Sequence, residues 1–494
     1  MRLAHPEPRL DCLPIGEVIL NLDCRDEIIP ILRALQHLYA NGPLRKELLS
    51  LVGKDVNQST SRKHGRRGMN YWEIAVLAGV RLGCNLDYDK LQDLAENHRR
   101  LRQIMGIGDW PDEEEVDFDW RRIEDNLLKL RPEALKKIND LIVRAGHTLA
   151  PEAITAVRGD TFVVETNIHY PTESSLIGDG LRKVVILAAR LAEEKGVPGW
   201  RQHQHLLQKV KKQVRAIGRA SRVKGQQGSA RVRAGYQELL HQAEDLLQRG
   251  RQLVATLQAP ENLWVLDLAS GAGAEELLYY VDLTAQVCDT ARRRVLEGET
   301  VPHAEKIFSI FEPHTELIKR GKQPVPTQFG HNTLVIEDAV GFVVEYRVLD
   351  QGVLDQEVVV PVMRKLQNRF QGKIKSASFD RSFHTPENQQ KLAAIVRTPC
   401  IAAKGQEQGR QQQRQGTVAF RKARRHHAGV ESAIGALQAG NGLKRCRDRS
   451  LRGFERYVGL GILGRNLHTL GKLLLAQDQA ECQAAKSKRK RLAG

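Results

Sequence analysis

The apolar residues of this chain switch repeatedly between the spacing of a helix and that of a strand, and the order of the switches restricts the folds open to it. Residues 26–52 carry helical spacing (Ile28, Ile29, Ile31, Leu32, Leu35, Leu38) and predict an amphipathic helix with a shorter companion. A polar, basic hinge from Ser61 to Gly68 precedes helices expected at about 69–83 and 87–104, with Asp87 placed to cap the second. An acidic loop at 112–117 and two more helices close an all-α N-terminal region near 147. From Ala156 the pattern alternates, Asp160-Thr161-Phe162-Val163-Val164-Glu165-Thr166, as on a half-buried strand. From about 173 to 308 it is helical again and rich in Arg, Gln and Leu, with a basic, Gly-punctuated stretch from Lys209 to Arg233. After Phe311 strands return. Thr333–Glu337, a turn at Asp338-Ala339-Val340-Gly341, and Phe342–Val348 predict a β-hairpin. A helix near 355–370, capped by Asp355, leads to a strand, Lys373 to Phe379, that closes at Asp380. Glu431 follows 51 residues on (431 − 380), in a helical stretch behind a block of arginines. The expected class is α/β, with a large helical insertion between the first and second strands.

Composition narrows the partners. Lys and Arg total 76 against 59 Asp and Glu, a net charge of +17 with a pI near 9.6. Such a surplus favours a polyanion, since each phosphate neutralised releases counterions. The seven cysteines form no C-x-x-C pair, which argues against a zinc finger and a secreted disulfide framework. The first residues lack a signal-peptide core, and no apolar run reaches the roughly 18 residues of a membrane span. A soluble, cytoplasmic protein without a membrane partner is the expectation.

Asp160 opens one strand, Asp380 closes another and Glu431 sits on a helix. Phosphodiester cleavage and strand transfer need an activated oxygen nucleophile and neutralisation of charge on the phosphate. Two Mg2+ (or Mn2+) ions about 3.5–4 Å apart supply both, and hard carboxylate oxygens are their natural ligands. Asp160, Asp380 and Glu431 are therefore the candidate metal ligands and catalytic acids. Glu165 lies at an odd offset from Asp160 and faces the other way. Asp338 has an ordinary turn role. On one continuous helix Arg424, His427, Gly435 and Gln438 would share the Glu431 face, which makes Arg424 and His427 candidate DNA-phosphate ligands. A helix–turn–helix reading would set Arg99, Arg100 and Arg102 against DNA; a solvated helix face explains them equally.

With these residues identified, the chain resembles a bacterial DDE insertion-sequence transposase of the ISNCY grouping over about residues 25–475. The resemblance is carried by Arg158-Gly159-Asp160 through Pro171-Thr172, Ile310-Phe311-Glu312-Pro313-His314-Thr315, Ser378-Phe379-Asp380 through Pro386-Glu387-Asn388, and Gly429-Val430-Glu431 through Cys446-Arg447. It implies a ribonuclease-H-like catalytic core, Mg2+ dependence, binding of double-stranded DNA at terminal inverted repeats and at the target, and a homo-oligomeric complex. The family's three acids fall on Asp160, Asp380 and Glu431. Relatives commonly carry Lys or Arg two helical turns after the glutamate; here it is Gln438, which can donate a hydrogen bond but brings no charge.

The expected organisation is an extension (1–25), a helical DNA-end-binding and assembly region (26–147), the start of the ribonuclease-H-like core (148–172), the helical insertion (173–308), the rest of the core (309–475) and a disordered basic tail (476–494) ending in Lys486-Ser487-Lys488-Arg489-Lys490-Arg491. Two other classes compete. Leu263 to Gly273 imitates the glycine loop of S-adenosylmethionine-dependent methyltransferases, but Arg-rich helices follow it instead of alternating strands. A non-catalytic DNA-binding protein fits the charge but leaves the three acids unexplained. His203 with His205, and His426 with His427, lack the cysteines of a zinc site. Glu312 to Glu316 is expected on a short strand.

Overall fold

The computed structural model describes residues 2–7, 12–57, 68–108, 118–259, 268–319, 326–403 and 410–492. The hinge at 61–67, the acidic loop at 112–117, the segment 263–267 of the glycine-loop imitation and residues 404–409 lie outside the described residues. The chain divides into two compact units, one formed by Met1–Thr166 with Gly330–Gly494 and the other by Asn167–Phe329.

The first unit opens with helices α1 (Ile28–Ala40), α2 (Gly42–Val56), α3 (Tyr71–Gly83), α4 (Tyr88–Asn97), α5 (Arg99–Met105), α6 (Trp120–Leu127) and α7 (Pro132–Leu149). The companion of the first helix is not the shorter one: α2 outlasts α1, with the Asn41 side chain accepting from Leu44 N and a proline in the first turn. Asp87 caps α4 as expected, accepting from Lys90 N at 2.9 Å. The single helix expected at 87–104 is two, because His98 leaves helical geometry and its Nδ1 accepts from Leu101 N (3.1 Å), starting α5. Strand β1 (Ala156–Thr166) follows.

The second unit holds α8 (Glu173–Glu194), α9 (His203–Ala220), α10 (Gln226–Gln258), α11 (Leu268–Ala291) and strand β2 (Glu316–Lys319). It has its own core, in which Leu181, Val184, Ala243, Leu246, Leu277 and Val281 are fully buried. Residues 312–315 are not a strand, as β2 begins only at Glu316.

The remaining elements are β3 (Thr327–Asp338), β4 (Val343–Val348), α12 (Asp355–Arg369), β5 (Ser376–Phe379), α13 (Pro386–Ala393), β6 (Thr398–Ile401), α14 (Arg410–Gln415), α15 (Val418–Ala428), α16 (Val430–Ala439), β7 (Arg445–Cys446) and α17 (Leu451–Leu492). Asp355 is the first residue of α12 and not its cap; the cap is Leu354, whose N–H donates to Glu357 (3.0 Å). The expected hairpin forms from β3 and β4, and Asp338 accepts from the N–H groups of Val340, Gly341 and Phe342 in its turn. Helix α17 runs through the tail expected to be disordered; the side chains of 486–491 lie outside the described residues.

The strands form one mixed seven-stranded sheet in the order β2-β3-β1-β5-β6, with β4 beside β3 and β7 beside β1. Strand β1 is antiparallel to β3 and parallel to β5, and β5 is parallel to β6. Proline at 399 is tolerated because β6 ends this order.

Helix α17 binds the unit together. It packs on α1, α3 and α7 through Leu460, Leu463, Leu467 and Leu470. Its fully buried Asn466 accepts from Val343 N (2.8 Å) and donates to Val343 O and to Asn139 Oδ1, so no polar group of that amide is stranded. Glu337, also buried, receives Arg158 from β1 (2.8 Å) and Arg465 from α17 (3.3 Å). Among the described residues no helix is long and apolar enough to cross a membrane.

Burial, helped by Lys472 and Arg465, pushes the His468 imidazole down to about 4. A folded value below the ordinary one of about 6.5 means that the unfolded chain takes the proton first. His468 thus contributes stability above about pH 6.5 that is lost as pH falls towards about 4. A His468→Gln chain is expected to lose less melting temperature than the parent between pH 7 and pH 5, measured by circular dichroism; equal losses would contradict this.

Candidate active site

The register of two parallel strands brings two of the three acids together. Gly159 of β1 stands opposite Phe379 of β5, so the next positions along the two strands are Asp160 and Asp380. Strand β5 ends there, and Asp380 leads into a 3-10 turn, Arg381–Phe383, without capping it through its side chain. The ordinary reason for an aspartate at a strand end is therefore missing. Asp380 is exposed and Asp160 half-buried, with Asp160 Oδ1 accepting from its neighbour Thr161 N (2.7 Å).

Strand alternation fixes the face. Arg158 lies two residues before Asp160 and shares its side of β1. Its guanidinium donates to the His426 carbonyl at the end of α15 (2.9 Å) and occupies the space that a Cβ on Gly429 would need. Asp160 thus points to the side covered by the α15–α16 junction. Glu431 sits exposed in the first turn of α16, two residues past Gly429.

The expected continuous helix around Glu431 is interrupted. Gly429 ends α15 and begins α16, so Arg424 and His427 do not share one unbroken helical face with Glu431, Gly435 and Gln438. His427 nevertheless comes close to the acids: its ring senses both Asp380 and Glu431. Burial holds this imidazole below its ordinary value, against the pull of Asp380. Its Nδ1 is buried without a hydrogen-bond partner, as is Nε2 of His426. Arg424 is exposed and borders a cleft of about 290 Å3 with Asp380, Arg381, Cys400, Phe420 and His427. Burial pushes the Cys400 thiol up to about 11, so a thiolate nucleophile is not available there at neutral pH.

Asp160 and Glu431 stand outside the lining of that cleft. Among the described residues no group of three or more His, Cys, Asp or Glu side chains is gathered closely enough to hold a metal ion. The register sets Asp160 and Asp380 at neighbouring positions and Glu431 lies on a helix that packs on β1, but no ligand cage closes around them among the described residues.

Other predicted positions are accounted for individually. Arg99 is exposed, whereas Arg100 and Arg102 are half-buried and donate to Gln103 (2.8 Å) and to the Glu96 carbonyl (3.1 Å). Glu165 pairs with Arg445 of the neighbouring strand β7. The 268–273 part of the methyltransferase-like segment is helical, in the first turns of α11, where that chemistry requires a glycine turn after a strand. Glu312 and His314 bond each other (2.8 Å) in the second unit. Arg158 was missed by sequence reasoning; its even offset from Asp160 is the signal that could have found it. No family model, curated protein or solved structure matches this chain.

Proposed function

We propose that this chain is a DDE transposase of the ISNCY type. It binds the terminal inverted repeats of its own element as a homo-oligomer in the bacterial cytoplasm, cleaves a strand at each end and joins the exposed 3′-hydroxyl to target DNA. The observation that carries the reading is the β1–β5 register, which sets Asp160 beside Asp380. A ribonuclease-H-like core is the finer form of this fold that we adopt. Supporting it are a first strand held between an antiparallel hairpin strand and a parallel strand, the helical unit inserted after β1, and an acid-bearing helix last.

The chemistry of the donor set fits Mg2+ or Mn2+. All three acids offer hard oxygens, and the one thiol nearby stays protonated. Asp160, Asp380 and Glu431 would hold the metal, which when bound supplies Lewis acidity to phosphate and nucleophile. The chain's own groups do the positioning. Arg424 and Arg381 border the cleft beside Asp380 and place positive charge where a phosphate would lie. Arg158 fixes the α15–α16 junction through His426, and so sets where Glu431 enters. The unpartnered Nδ1 of His427 can hydrogen-bond a group that the chain does not supply.

The test is to incubate the full chain and Mg2+ with the DNA flanking its reading frame and to map strand ends. Cleavage at matched inverted repeats is expected. If the ends are bound and never cut with any divalent ion, the alternative holds: a non-catalytic DNA-binding protein derived from a transposase. That alternative draws on the absence of a closed ligand group among the described residues.

A further inference from the structure

The second unit distributes its positive charge unevenly. Between Glu194 and Glu238 the chain carries eleven Lys and Arg and no acid. Elsewhere in this unit many cations are paired: Arg182 with Asp179, Lys183 with Glu276, Arg190 with Glu194, Arg251 with Asp282 and Arg293 with Glu299 and Glu305. On α9 and the turn after it the opposite holds. Lys211, Lys212, Arg215, Arg219 and Arg222 are exposed or half-buried, and no acid lies within four residues of any of them to serve as a helical partner.

Their spacing makes a surface. Lys211, Arg215 and Arg219 recur every four residues and form one stripe along α9, about 6 Å apart at a rise of about 1.5 Å per residue. Lys212 widens it, and Arg222 and Lys224 continue it into the turn. The helix keeps only Val210 and Ile217 buried, so it is anchored on one side and cationic on the other. The one acid that lines a cavity with Lys211 and Arg215, Asp179, is already paired with Arg182, and a cationic stripe without aromatic side chains for stacking bases suits a continuous phosphate backbone.

We propose that the α9 stripe is a sequence-independent binding surface for the backbone of double-stranded DNA. This rests on the transposase reading and deepens it by giving the inserted unit a substrate surface of its own.

The experiment measures DNA affinity against salt in the full chain carrying Asp160→Asn, so that binding is read without cleavage. Five substitutions, Lys211→Gln, Lys212→Gln, Arg215→Gln, Arg219→Gln and Arg222→Gln, keep helix propensity nearly unchanged, and circular dichroism checks the fold. The slope of log affinity against log salt is expected to flatten by about 3 or more, at about 0.9 for each phosphate no longer neutralised, with at least a tenfold weaker affinity at moderate salt. A control removes equal charge from paired positions: Lys183→Gln, Arg190→Gln, Arg249→Gln (Arg249 pairs with Asp245), Arg251→Gln and Arg293→Gln. An unchanged slope in the first variant, or equal flattening in both, overturns the proposal. So does a loss confined to duplex RNA or to an acidic protein. Failure of the parent chain to cleave any end, with the binding pattern intact, sinks the transposase reading and leaves the stripe standing, so the two readings fail separately.

Discussion

Replacing Asp380 by Asn is expected to reduce Mg2+-dependent cleavage of the element's ends by at least three orders of magnitude while leaving end binding within a fewfold of the parent. The side chain is exposed and caps no turn, so the amide costs the fold nothing that the structure identifies. What it removes is one of two carboxylates that the β1–β5 register sets at neighbouring positions. An amide is a poorer ligand for a hard dication and cannot balance its charge. Asp160→Asn and Glu431→Gln should behave alike, and a double variant should be little worse than either single one, because residues that act as a unit are not additive. The measurement is strand cleavage on a labelled end substrate, alongside a gel-shift with the same DNA. Cleavage retained within tenfold in any of the three would remove that residue from the chemistry.

Gly471→Val is expected to destabilise the first unit by about 3 kcal/mol or more, in the upper range of overpacking effects. A Cβ at this position on α17 would fall on the carbonyl oxygen of Pro30, and the atoms it meets are backbone, which cannot rotate aside. Gly to a larger residue ordinarily gains about 0.5–1 kcal/mol in a helix at best, well below the steric cost. Glu481→Val, exposed on the same helix, is the control for the β-branched penalty alone. Urea unfolding should give a lower midpoint at an unchanged slope for the glycine variant and a parent-like midpoint for the control.

The hairpin was legible in the sequence because two β-branched, apolar runs flank a turn with Asp338 and Gly341. Asp87 was legible because a cap needs only its own helix. Strands β6 and β7 were not: four residues with a proline among them, and two residues, are too short to show any period. The break at His98 was hidden because apolar spacing runs through it and an imidazole replaces the usual capping side chain. The break at Gly429 was hidden for a related reason, since a helical offset assumes a continuous helix. In the candidate site, residue type marked the three acids individually. That Asp160 and Asp380 become neighbours across 220 residues (380 − 160) depends on strand register, which no local spacing encodes.

The packing of α17 on α1, α3 and α7 also has a consequence for synthesis. The apolar faces of α1, α3 and α7 must wait for a partner that begins 302 residues after α7 ends (451 − 149). At about 5–20 residues per second that interval is on the order of 15–60 s. Throughout it the nascent N-terminal helices present an uncovered surface on the ribosome, where a chaperone would find them, and premature termination before Leu451 would release a chain that cannot bury them.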